Sequence, residues 1–143
     1  DEPVIEPGKA YMKSSAVSAD GDWGGDDGTA LLPSGSSLKV ELVLKSPDGR
    51  PPVALIGVMR ADGTPVYGVA SDYDQVQPLA LDGDSYRFVI HFDQLPLLPG
   101  TYSLRGHAMD PEGIRLFDTA EIRFSVGGKS REMGMVQLPH RWE

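Results

Sequence analysis

The chain has 143 residues, 40% of them hydrophobic, with no cysteine and a formal net charge of −8 at pH 7. That length suits one domain burying its own core, and the lack of cysteine excludes disulfides, zinc–thiolate sites and thiol nucleophiles. The acidic balance argues against nucleic acid and anionic membranes, which are gripped by clustered Lys and Arg, and no apolar run approaches a membrane span.

Residues 1–8 are acidic and Pro-rich and read as a linker, so the chain is expected to be a fragment of something longer. Residues 9–143 are expected to form a single domain. Lys9 to Val17 is a weak first strand. Asp20 to Gly28 is a Gly/Asp-rich loop whose carboxylates invite a calcium reading, but it lacks the EF-hand order and its closing Glu. An ordinary surface loop has the same composition.

From Leu38 onwards the pattern sharpens. Leu38, Val40, Leu42 and Leu44 alternate with polar or smaller residues, as they would in a half-buried strand. Val53 to Arg60 and Pro65 to Ala70 read as a hairpin joined at Asp62-Gly63. Tyr86, Phe88, Ile90 and Phe92 share one face of the next strand; Tyr102, Leu104, Gly106 and Ala108 share one face of the strand after it. Ala120 to Val126 alternates again, and Met133 to Leu138 is a candidate last strand. Turn chemistry separates these runs at Pro47-Asp48-Gly49, Asp82-Gly83-Asp84, Pro99-Gly100 and Glu112-Gly113. About eight strands, each with one buried face, imply an all-β antiparallel β-sandwich of immunoglobulin-like or jelly-roll type.

Motifs for chemistry are missing. There is no GxxxxGK[ST] phosphate loop and no GxSxG nucleophile elbow. His91 and His107 fall on outward positions of strands expected to be neighbours, yet no third metal ligand is in register. No cofactor, metal or catalytic residue is therefore assigned, and the chain is expected not to be an enzyme.

The outward faces are more informative. Arg87, Val89 and His91 project from one strand, and Ser103, Arg105, His107 and Met109 from the next; Leu55, Gly57 and Met59 form another outward set. Tyr67 and Tyr73 lie near the end of one hairpin. Planar donors beside adaptable apolar groups suit a shallow binding surface for a polar ligand. The candidate ligand-binding residues are Met59, Tyr67, Tyr73, Arg87, His91, Arg105 and His107. The plainer reading is that they cover a sheet or pack against protein. Trp142, so near the end, suggests a tail packed as an edge strand on its own sandwich or a neighbour's, which would favour a homodimer.

Three segments carry a family resemblance: Phe92 to Leu104, with its Leu95-Pro96-Leu97-Leu98-Pro99-Gly100 run, Ile56 to Gly68, and the ending Gly134 to Glu143. Together they resemble the C-terminal domain of Wzt-type ATP-binding subunits of ABC transporters that export bacterial O-antigen polysaccharide. The resemblance covers roughly residues 36–143; the acidic loop at 20–28 departs from it. It implies a cytoplasmic β-sandwich at the inner membrane, appended to a nucleotide-binding domain and working with the transporter's membrane subunit. It also implies recognition of the non-reducing end of the glycan, without catalysis. The alternative is a structural or dimerisation sandwich that binds protein.

Overall fold

The computed structural model describes residues 9–19, 30–47 and 49–143. The 1–8 linker, the 20–28 loop with its calcium reading and Asp48 of the expected turn lie outside the described residues.

Nine strands follow one another: β1 (Tyr11–Ala19), β2 (Ala30–Pro33), β3 (Leu38–Lys45), β4 (Val53–Arg60), β5 (Pro65–Ala70), β6 (Leu79–Leu81), β7 (Ser85–Phe92), β8 (Gly100–Met109) and β9 (Leu116–Gly127). They form a four-stranded sheet in the order β1-β3-β7-β6 and a five-stranded sheet in the order β2-β9-β8-β4-β5. Every pairing is antiparallel except β2 with β9. The all-β sandwich expected from the alternation is the architecture observed.

The alternation supplies the core. Leu38, Val40, Leu42 and Leu44 are all buried on β3, and face Ile56, Val58, Tyr102, Leu104, Phe124 and Val126 from the other sheet within one hydrophobic cluster. Each large side chain so buried contributes roughly 1.5–3 kcal/mol by area transfer. Gly106 is part of the fit. A Cβ there would lie 2.9 Å from both methyls of Leu42, so the two sheets approach each other closely at this point.

Three expectations need correction. β2 and β6 were not anticipated, because four and three residues are too few to display a period. Residues 133–138 do not form a strand: only a single bridge links Val136 to Leu97. Trp142 is 90% exposed, with its ring edge-on to His140, so the tail's end does not pack on its own sandwich. Lastly, β7 and β8 are not neighbours but lie in different sheets. The link at residues 93–99 crosses the sandwich, burying Leu95, Leu97 and Leu98 as it does so. Consecutive strands usually sit side by side, and nothing in the local pattern distinguishes a hairpin from a crossing.

The tail is nonetheless docked before it ends. The Leu98 amide donates to Met135 O (2.8 Å) and the Gln137 amide to Pro96 O (2.7 Å). Two segments far apart in sequence, 95–98 and 135–137, thus close one end of the sandwich together.

Candidate functional site

The outer face of the five-stranded sheet carries a trough, and its cause is the pairing of two glycines. Gly57 on β4 sits opposite Gly68 on edge strand β5 and opposite Arg105 on β8. With no side chain at 57 or 68, the sheet surface drops between the Arg105 side and the edge. A Cβ on Gly57 would come within 3.1 Å of the Tyr67 carbonyl oxygen, so the depression belongs to the backbone packing itself. Along β4 the floor is extended by Leu55 and Met59, which are paired across β8 with His107 and Ser103. The resulting groove is about 200 Å³, lined by Leu55, Gly57, Met59, Pro65, Tyr67, Gly68, Arg105 and His107 among others. It is smaller than an enclosed small-molecule site of about 300–1,000 Å³ and open to solvent, as suits one end of a larger ligand.

Four of the seven expected residues therefore meet: Met59, Tyr67, Arg105 and His107. Tyr67 opposes buried Val58 yet is 58% exposed, because β5 is the edge of the sheet and a register shift follows at Val58/Met59. The other three residues lie elsewhere. Arg87 and His91 belong to the four-stranded sheet, on the other side of the sandwich. There the Arg87 Nε donates to Glu41 at 2.9 Å, and His91 stands opposite Lys39. The Arg87 hydrogen bond, opposed by partial desolvation, holds the Glu41 carboxyl below its ordinary value. Tyr73 lies in the β5–β6 connection, 84% exposed, and does not line the groove.

Polar groups in the groove are fixed by neighbours on β9. Arg105 Nε donates to Glu121 Oε2, its directly opposed partner, at 2.5 Å. That hydrogen bond is the main reason the Glu121 carboxyl sits below its usual range. At this exposure the pair is worth at most about 1 kcal/mol of stability, but it orients a planar donor toward the ligand side. His107 Nδ1 shares a hydrogen bond with Thr119 Oγ1 at 2.8 Å. Burial, and then the nearby Arg105 charge, lower its pKa from 6.5, which favours a neutral ring at pH 7. The arrangement offers an apolar floor, a guanidinium and a neutral imidazole whose Nδ1 is engaged by the Thr119 hydroxyl. Among the described residues no cluster of three His, Asp or Glu could hold a metal ion.

Alternation along β4 puts Gly57 outward without giving it a role, and no local pattern singles out Gly68, Pro65 or Glu121 as site residues. A glycine in the interior of each hairpin strand was the available signal, since such glycines mark close approach of another backbone or a ligand.

No family model matches the chain, and no curated protein matches it. Among solved structures it is similar to the C-terminal domain of wzt, with a TM-score of 0.67 at 16% identity, covering 96% of this chain and 92% of that one. The two share one fold. A second similarity, to the soluble domain of PmoD from a Methylocystis species, has a TM-score of only 0.40 at 17% identity, covering 79% of this chain and 90% of that one. It adds nothing to the assignment. No helix among the described residues is long and apolar enough to cross a membrane.

Proposed function

We propose that this chain is a non-catalytic carbohydrate-recognition domain serving the export of an O-antigen-type polysaccharide. The observation that carries this reading is the Gly57–Gly68 trough, which gathers Met59, Tyr67, Arg105 and His107 on one open sheet face. A sugar presents apolar ring faces and a rim of hydroxyls. Met59, Leu55 and the Tyr67 side supply apolar contact, while Arg105 and neutral His107 supply hydrogen bonds. Supporting it are the fold shared with the C-terminal domain of wzt and the resemblance carried by residues 56–68, 92–104 and 134–143.

In this reading the groove, open at its ends, takes the non-reducing end of a finished glycan. The domain would be appended to a nucleotide-binding domain, on the cytoplasmic side of the inner membrane, and would act with the transporter's membrane subunit. A single shallow site binds weakly, and two copies in a homodimer would raise the effective strength by avidity.

The test is a titration of the chain with O-polysaccharide from its own source, beside an unrelated glycan, read by heat and by amide shifts of Gly57, Gly68 and His107. Saturable binding to the cognate glycan, weakened about tenfold or more by Tyr67→Ala or Arg105→Ala, is the expected result. Absence of binding at millimolar terminal sugar would leave the domain as a protein-binding or dimerisation module.

A further inference from the structure

A second concavity lies at the end of the sandwich away from the tail. Along β4, Gly57, Leu55 and Val53 alternate on one face, and Val53 is about 13 Å beyond Gly57 at strand spacing. There the surface opens into a basin of about 670 Å³. Three connections wall it: residues 51–53 leading into β4, residues 71–78 between β5 and β6, and Pro111 in the β8–β9 turn. Its size falls within the range of small-molecule sites, about 300–1,000 Å³.

The walls are held rigidly. Pro51, Pro52, Pro78 and Pro111 all line the basin, and each ring fixes its own φ. The Ser71 amide donates to Ala54 O (2.8 Å) and Ser71 Oγ accepts from the Ala54 amide (3.0 Å), which pins the 71–78 connection to β4. A tight turn follows, in which the Gln75 amide donates to Asp72 O and the Val76 amide to Ser71 O. It leaves Gln75 at φ 57°, a left-handed conformation uncommon for any residue but glycine. The Asp72 carboxylate abuts the β8–β9 turn so closely that a Cβ on Gly113 would stand 2.5 Å from its Oδ2.

The polar groups in these walls are uncommitted. The side chains of Asp72, Gln75 and Gln77 make no hydrogen bond or ion pair among the described residues. Asp72 is the only ionisable group lining the basin. Arg50 and Glu112, next in sequence to Pro51 and Pro111, neutralise each other at 2.7 Å. The local charge is therefore negative, which repels a carboxylate or phosphate and leaves a neutral guest.

A guest rich in hydroxyls matches what remains. A carboxylate accepts hydroxyl protons, and each glutamine amide both donates and accepts. The proline rings and Val76 supply apolar wall between them. Tyr73, which takes no part in the trough, directly follows Asp72 and is 84% exposed, an aromatic ring at the rim.

We propose that the basin is a second saccharide site, taking an uncharged internal unit of the glycan whose terminal unit lies in the trough. This rests on the carbohydrate reading of the trough and adds a second contact on the same chain of sugars. A glycan laid along β4 from Gly57 to Val53 reaches both. Asp72, Gln75 and Gln77 hold the internal unit by hydrogen bonds, and Tyr73 packs on it.

The test uses two fragments of the O-polysaccharide from the chain's own source, made by partial hydrolysis: the terminal repeat alone, and a fragment of several repeats that keeps the same end. Each is titrated by two-dimensional amide NMR into the wild-type chain, Gln75→Gly and Asp72→Asn. Glycine favours the positive φ at 75, so Gln75→Gly removes the side chain while suiting the fold. The long fragment should bind roughly tenfold or more tightly than the short one, and should shift Tyr73 to Gln77 as well as Gly57 and Gly68. Each variant should reduce that advantage several-fold. The short fragment should shift the trough alone, equally in all three chains. Equal affinity of the two fragments, with residues 71–77 silent, would overturn the second site and leave the trough reading standing. A length advantage unchanged in both variants would overturn it as well, by placing the extra contact elsewhere. Shifts at 71–77 with the trough silent would support a saccharide site in the basin while sinking the trough reading. Silence with both fragments would sink both.

Discussion

The Tyr102 hydroxyl donates a 2.6 Å hydrogen bond to the carbonyl oxygen of Leu98, four residues earlier in the chain. The same hydroxyl lies 3.3 Å from the Met135 carbonyl oxygen in the tail. Tyr102 also stacks on Phe124 with ring centroids 5.8 Å apart, so one buried side chain joins β8, β9, the crossing segment and the tail. Burial raises its phenol pKa above 10.0, which keeps the donor proton in place across the physiological range. Tyr102→Phe keeps the ring packing but strands a buried carbonyl. It should cost about 1–3 kcal/mol in urea unfolding, and should speed hydrogen exchange at the Leu98 and Gln137 amides. Unchanged exchange at those two amides would mean that the tail is held by other contacts.

How much of this was legible in the sequence follows from the range over which each signal acts. Alternation is local, and it placed the buried faces of β3, β8 and β9 correctly because each strand's period is read from its own residues. Sheet membership is not local. Arg87 and His91 were placed beside Arg105 and His107 because the strands are consecutive, whereas the crossing at 93–99 carries them to opposite sides. The trough was half legible: Met59, Arg105 and His107 follow from alternation, but the Gly57–Gly68 pairing needs the register of the hairpin. Likewise the tail's apolar composition was visible, but its partners at Pro96 and Leu98 are about forty residues away in sequence.

Gly106 should be intolerant of even one methyl group. Its backbone is in an ordinary strand conformation, so Ala introduces no dihedral strain there; the cost is steric. Both Leu42 methyls would stand 2.9 Å from the new carbon, and Leu42 is itself fully buried with little room to turn. Overpacking of this kind costs about 1–3 kcal/mol. Gly106→Ala should lower the urea midpoint accordingly, and the double variant Gly106→Ala with Leu42→Val should recover part of the loss. Equal stability of wild type and Gly106→Ala would show that the sheets separate more easily than the contact implies.

Asp110 ties the β8–β9 turn. Its Oδ1 accepts from the Ile114 and Arg115 amides, each at 2.8 Å, and it is the one buried acidic residue among the described residues. The Arg115 amide bond is the leading cause that holds its pKa below 3.8. The sign of the pH effect follows. The unfolded chain binds the proton more readily, so this group's stabilising effect is present above about pH 3.9. It is lost as pH falls through the lower native value. Asp110→Asn retains an acceptor but cannot titrate. Melting temperature against pH should therefore fall less steeply below pH 4 in the variant than in the wild type; parallel curves would mean that the turn does not sense this proton.

His107 gives the groove a titratable reporter. Burial first, then the Arg105 charge, pushes its pKa below 6.5, while Nδ1 is held by Thr119 Oγ1 at 2.8 Å. Because the native state resists the proton, the stabilising effect of a neutral ring is present above pH 6.5 and disappears as pH falls through the native value. Ring-nitrogen NMR should show a pKa below that of an unstructured histidine peptide. Arg105→Gln removes the like charge but only part of the burial, so it should raise the value without restoring it fully. A ligand that donates to the free Nε2 favours the neutral ring and should depress the pKa further, whereas one that accepts from it should raise the value. The direction of the ligand-induced shift therefore reads out whether a bound sugar offers His107 a hydroxyl proton or an oxygen lone pair.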